Sequence, residues 1–153
     1  MPVSRLAFTP FARRLLQRQL SLPGRLRGGL LFGRVVGTEV EVQLVSSLGS
    51  RWWLTPELGP LHLEAEYVLG WSDALEAEHG GQMDWVGHWI AQPDNRLPDL
   101  QADLNWLDQA ARAGLVDSLH PLMVAGWEDG SLHTRAYAHD NGEVVTWACE
   151  FRP

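Results

Sequence analysis

Apolar and polar residues alternate strictly along residues 39–45, where Val40, Val42 and Leu44 fall between Glu39, Glu41 and Gln43. A period of two gives a strand one buried and one wet face, so this stretch predicts a half-buried strand. Residues 30–36 form a second strand before it, and Gly37-Thr38 joins the two as a hairpin. Nearer the start, residues 3–8 predict a short strand. A helix follows, with Thr9 as cap and Pro10 in the first turn. Phe11, Leu15, Leu16 and Leu20 recur there at helical spacing, with Arg13, Arg14, Gln17 and Arg18 mostly opposite, and Pro23-Gly24 end it.

Residues 46–60 are turn-rich and contain Trp52 and Trp53. Residues 63–79 predict a second helix stopped by Gly80-Gly81. Residues 83–90 read as a buried strand and residues 91–98 as a loop. Asp99 caps a third helix running to about Ala113, with Leu100, Leu104 and Leu107 inward and Gly114 as its stop. Residues 119–125, 131–138 and 143–151 are strands, the last two joined by an Asn141-Gly142 turn. The expected fold class is therefore α/β, a mixed β-sheet flanked by about three helices, in a single domain spanning residues 1–153.

Composition narrows the chemistry. The net charge of −7 is split: the first 38 residues carry seven arginines and no acid, and the remainder carries −14. Such a split steers a charged partner or draws two parts of one fold together. A chain this acidic is not expected to bind nucleic acid, which requires many cationic phosphate contacts. There is no lysine, so Schiff-base and general-base lysine chemistry are excluded. Cys149 is the single cysteine, which excludes an intrachain disulfide framework and fits a reducing, cytoplasmic setting. No apolar run approaches the roughly 18 residues that span a bilayer, and no membrane partner is expected. The acid-free, Arg-rich start also reads as a presequence; a folded strand and helix is the preferred reading.

Two strings carry a family resemblance. Arg27-Gly28-Gly29-Leu30-Leu31-Phe32-Gly33 resembles a Gly-Gly pair leading into an apolar strand. Val86-Gly87-His88-Trp89-Ile90-Ala91-Gln92-Pro93 resembles a Val-Gly-x-Trp strand running into a His-x-His-Pro motif. Together they resemble the JAB/MPN (JAMM) domain, zinc peptidases that act beside ubiquitin-like modifiers, together with relatives that have lost the metal. The resemblance spans roughly residues 3–138 and implies a JAMM or cytidine-deaminase-like sheet.

The family's zinc is held by two imidazoles and a carboxylate with an open place for water. Mapped onto this chain, the base position reads Leu26, or Arg25 with a slip of one. The imidazole positions read Ile90 and Gln92, the oxyanion-stabilising serine position reads Leu100, and only Asp103 survives. The resemblance thus implies a pseudoenzyme with no cofactor that binds protein: an active relative, a ubiquitin-like protein or a second copy as a homodimer. The alternative is a metal-dependent (iso)peptidase or other hydrolase, with zinc at a relocated site near His88, Asp103 and Asp94. For His88 the competing reading is a core histidine, and for Asp103 a hydrogen-bond acceptor or an exposed helix residue. His79 and His120 read as structural and Trp89 as core. Trp52, Trp53 and Trp127 are either contact residues or caps on the core.

Overall fold

A computed structural model describes residues 2–21, 27–47, 61 and 65–153. Seven strands and three helices follow in the order β1 (Arg5–Phe8), α1 (Pro10–Leu20), β2 (Arg27–Val36), β3 (Glu39–Val45), α2 (Ala65–His79), β4 (Asp84–Arg96), α3 (Leu100–Arg112), β5 (Leu122–Glu128), β6 (Ser131–Asp140) and β7 (Glu143–Phe151). Both predicted caps form. Thr9 Oγ1 accepts from the Ala12 N–H at 3.1 Å and Asp99 Oδ1 from the Ala102 N–H at 2.8 Å, each satisfying a backbone donor that the first helical turn leaves open.

The expected JAMM- or cytidine-deaminase-like α/β fold, a mixed sheet flanked by helices, is not what forms. The strands close into a barrel in the order β1-β3-β2-β4-β5-β6-β7. The closing element is the short first strand, which pairs in parallel with β3 (Leu6 opposite Val40) and with β7 (Leu6 opposite Cys149). The sheet is mixed, as expected, because β4 and β5 also run parallel. Closure removes the strand edges that an open sheet must protect. It depends on pairing residues about 140 positions apart in the chain, which local periodicity cannot encode.

One cross-strand row explains how the interior is filled. Gly29, Trp89, Met123, Ala136 and Trp147 are successive partners from β2 to β7. The small Gly29 and Ala136 thus leave room for the large Trp89, Met123 and Trp147, as a narrow barrel requires. Gly29 is needed here: a Cβ at that position would collide with the Ser46 carbonyl oxygen, the same oxygen that accepts the Trp89 indole N–H at 2.8 Å. Ala12, Leu16 and Leu20 of α1 join this interior cluster with Leu6, Phe8, Val40 and Val42. On the outer face, α2 covers Leu30, Phe32 and Met83, and α3 covers Ile90, Leu122, Val124 and Tyr137.

Two local expectations need correction. The expected loop at residues 91–98 is strand as far as Arg96, although pairing with β5 breaks between Ala91 and Arg96. Pro93, with no N–H to donate, and Asn95, at φ 59°, fall inside that break. In α3, Leu107 is buried as expected, but Leu100 and Leu104 are 60% and 40% exposed. Asp103 turns inward in their place. Trp127 lies on β5, half-buried against the interior cluster.

Candidate functional site

Asp103 is the one position where the resemblance retains a metal-binding residue, and its carboxylate is fully buried. The sequence places two partners beneath it. Arg135 and Tyr137 stand two apart on β6 and therefore share a face. Tyr137 donates its hydroxyl to Asp103 Oδ2 at 2.6 Å, Arg135 Nε lies 2.7 Å from the same oxygen, and Arg135 Nη2 donates to Oδ1 at 3.2 Å. Arg135 also donates to the Pro98 carbonyl just ahead of α3. Burial pushes the Asp103 carboxyl up, and the Tyr137 hydroxyl and the Arg135 guanidinium oppose that rise. Burial likewise pushes the Tyr137 phenol up, reinforced by the adjoining carboxylate. Both oxygens of Asp103 are thus engaged by a cation and a hydroxyl, and α3 is latched to the barrel.

The other positions do not assemble into a ligand set. Ile90 is buried among Leu107, Leu122, Val124 and Tyr137. Gln92 is half-buried, and Leu100 faces solvent. Leu26 and Arg25 lie outside the described residues, as do Trp52 and Trp53. His88 is fully buried on the outer face of β4, with its backbone N–H donating to the Pro121 carbonyl at 3.0 Å. It occupies one cross-strand row with Leu122 and Tyr137, so an aliphatic side chain stands between the imidazole and Tyr137. Asp94 is exposed and accepts from the Arg96 N–H at 2.9 Å. Among the described residues no group of three or more His, Cys, Asp or Glu side chains could hold a metal ion.

A second feature lies at one mouth of the barrel, where sequence reasoning identified only a generic His120. The His120 ring stacks on Trp85 with centroids 4.2 Å apart, and its Nδ1 lies 2.9 Å from Asp117 Oδ1. These rings line a cleft of about 310 Å³ together with Val35, Val40, Val86 and Leu119. Val35 and Leu119 are 60% and 61% exposed at its rim. Trp85 gave no signal of this role, because its stacking partner is 35 positions away. His79, at the end of α2, is exposed, and Trp89 is buried core.

Part of the charge split acts within the fold. Arg5 pairs with Glu150 at 3.0 Å and Arg34 with Glu41 at 3.4 Å. Arg13 and Arg14 of α1 lie over the rings of Phe151 and Phe11. Among the described residues no helix is long and apolar enough to cross a membrane.

No protein-family model matches the chain, and no curated protein matches it. Among solved structures, it is similar to the solution structure of protein DSY2949 from Desulfitobacterium hafniense, a structural-genomics target. The TM-score is 0.62 at 14% identity, over 96% of this chain and 92% of that one. At that identity the likeness concerns the fold alone.

Proposed function

We propose that this chain is a non-catalytic protein-binding or scaffolding module. The observation that carries the reading is Asp103: its two oxygens already accept from Tyr137 and Arg135, so the carboxylate serves as a latch and not as a ligand or base. Ile90, Gln92 and Leu100 supply no imidazole or hydroxyl beside it. The partly apolar cleft with its stacked Trp85–His120 wall supports a binding role, since half-buried aromatic and exposed aliphatic groups at a concave site favour contact over chemistry. A link to ubiquitin-like proteins rests on the Gly28-Gly29 and Val86-to-Pro93 strings.

Metal analysis of freshly purified protein tests the proposal. The expected zinc content is far below one per chain and does not change in His88→Ala. Stoichiometric zinc that disappears in that variant would overturn the reading in favour of a relocated hydrolase site. So would hydrolysis of a ubiquitin-like fusion that is abolished by Asp103→Ala in a protein shown to remain folded.

A further inference from the structure

The arginines of the chain divide into two groups. Arg5, Arg34, Arg112, Arg135 and Arg152 each lie against a carboxylate, so the fold holds them. Arg13, Arg14 and Arg18 of α1 are exposed, and none of the three pairs with a carboxylate among the described residues. Two of these guanidiniums stand over rings instead, Arg13 at 5.3 Å from the centre of Phe151 and Arg14 at 5.8 Å from that of Phe11. A guanidinium held by its flat face keeps its N–H edge open to an anion.

Helical spacing sorts α1 into two faces. Ala12, Leu16 and Leu20 recur every fourth residue and are buried in the interior cluster. Phe11, Arg14 and Arg18 are spaced by three and four, so they share the opposite face and span about 10 Å along the axis. Phe11 is 50% exposed there. The first turn of α1 holds no acidic residue. Arg13 and Arg14 instead stand next to that end of the helix, where the dipole favours an acid. An exposed aromatic ring and cations set against the dipole contribute little to the fold, and both suit a surface that receives an anionic partner.

We propose that Phe11, Arg14 and Arg18, flanked by Arg13, form a docking surface for a short acidic segment of a partner protein that carries an aliphatic residue among its carboxylates. The proposal rests on the protein-binding reading above and supplies the partner's chemistry. Arg14 and Arg18 each match a carboxylate through two N–H groups, and the Phe11 ring meets the aliphatic side chain beside them. The positive surface is local, because the chain as a whole carries −7 and residues 39–153 carry −14. A short segment that touches only α1 therefore fits better than an extended polyanion. A nucleic acid needs many phosphate contacts, and α1 offers three arginines. A helix that lies on a membrane buries its apolar face in lipid, whereas the apolar face of α1 is already buried in the barrel.

Fluorescence anisotropy of a short labelled peptide alternating glutamate and leucine, titrated with the full chain at low salt, tests this. Sub-millimolar binding that weakens as salt is added is expected. Arg14→Gln and Arg18→Gln are each expected to weaken it by about threefold. Phe11→Ser is expected to weaken it while leaving its salt dependence intact. The double variant Arg14→Glu/Arg18→Glu is expected to lose the peptide and to bind its counterpart with lysine in place of glutamate. Urea midpoints of all four variants should stay close to wild type, because these side chains are exposed. A wild-type chain that leaves the peptide free at millimolar concentration overturns the proposal. Binding that survives the double reversal, or a lysine peptide that ignores the reversed protein, overturns it as well. Tighter binding to phosphatidylserine vesicles or to oligothymidine than to the peptide assigns the surface to a membrane or a nucleic acid and overturns it equally. None of these readouts depends on zinc or on hydrolysis, so this docking surface and the non-catalytic reading fail separately.

Discussion

Arg135 reaches from β6 to Asp103 on α3, with Nε 2.7 Å from a carboxylate oxygen that has no solvent exposure. The pair couples a helix to the barrel wall across 32 positions of sequence, and Tyr137 completes it. Removing one partner of such a pair leaves the other charge desolvated. Asp103→Ala is therefore expected to destabilise the fold by about 3–5 kcal/mol, near the lower end because the Arg135 side chain keeps 27% exposure. Replacing both residues together with Leu and Met should cost clearly less than the sum of the single losses. Urea unfolding of the single and double variants measures this. Strict additivity would argue against the coupling.

The inward turn of Asp103 also fixes how α3 is rotated. Leu107→Ala is expected to cost about 2–5 kcal/mol, as for other buried leucines. Leu100→Ala and Leu104→Ala, at exposed positions, are expected to stay within about 0.5 kcal/mol of wild type. Denaturant midpoints distinguish this arrangement from the rotation expected from the pattern of leucines alone, in which all three losses would be comparable.

Gly29 and Trp89 meet at the Ser46 carbonyl. Gly29→Ala forces a methyl group onto that oxygen, and overpacking of this kind is expected to cost about 1–3 kcal/mol. Trp89→Phe keeps a ring but loses the 2.8 Å hydrogen bond, leaving a buried acceptor short of its donor, for about 1–3 kcal/mol. Thermal unfolding of both variants provides the check. A Gly29→Ala protein as stable as wild type would contradict the close approach of strand and carbonyl.

Asp117 carries a pH dependence whose sign can be stated. Its partial burial raises the carboxyl pKa, but hydrogen bonds from Leu119 and His120 outweigh that, and the net shift is below the ordinary value. A depressed carboxyl stabilises the fold above its unfolded pKa, and that stabilisation is lost as pH falls through the folded value. Asp117→Asn should therefore flatten the acid side of the stability profile between about pH 5 and pH 2. The slopes of wild type and variant, compared by urea titration across that range, decide it. Identical slopes would count against the assignment.

Ten elements were legible from periodicity and punctuation because each signal is local. The alternation over residues 39–45 corresponds to β3, the Thr9 and Asp99 caps start two helices, and Asn141-Gly142 turns the last hairpin at φ 49° and 85°. The candidate site was legible only in part. Asp103 was singled out, whereas Arg135 and Tyr137 were not, although their two-residue spacing on a strand already placed them on one face. The Trp85–His120 stack had no sequence signature.

By itself the sequence determined which segments become strand or helix, since caps, turns and hydrophobic period act over a few residues. It also determined what chemistry is absent, because no lysine can be supplied by folding. The tertiary structure alone decided that the sheet closes, since β1 must find both β3 and β7 and these pairings are entirely non-local. It alone decided that Asp103 faces inward ahead of two leucines. A buried carboxylate is tolerated only where a cation and a donor already wait, and those arrive from a strand about 30 residues further along.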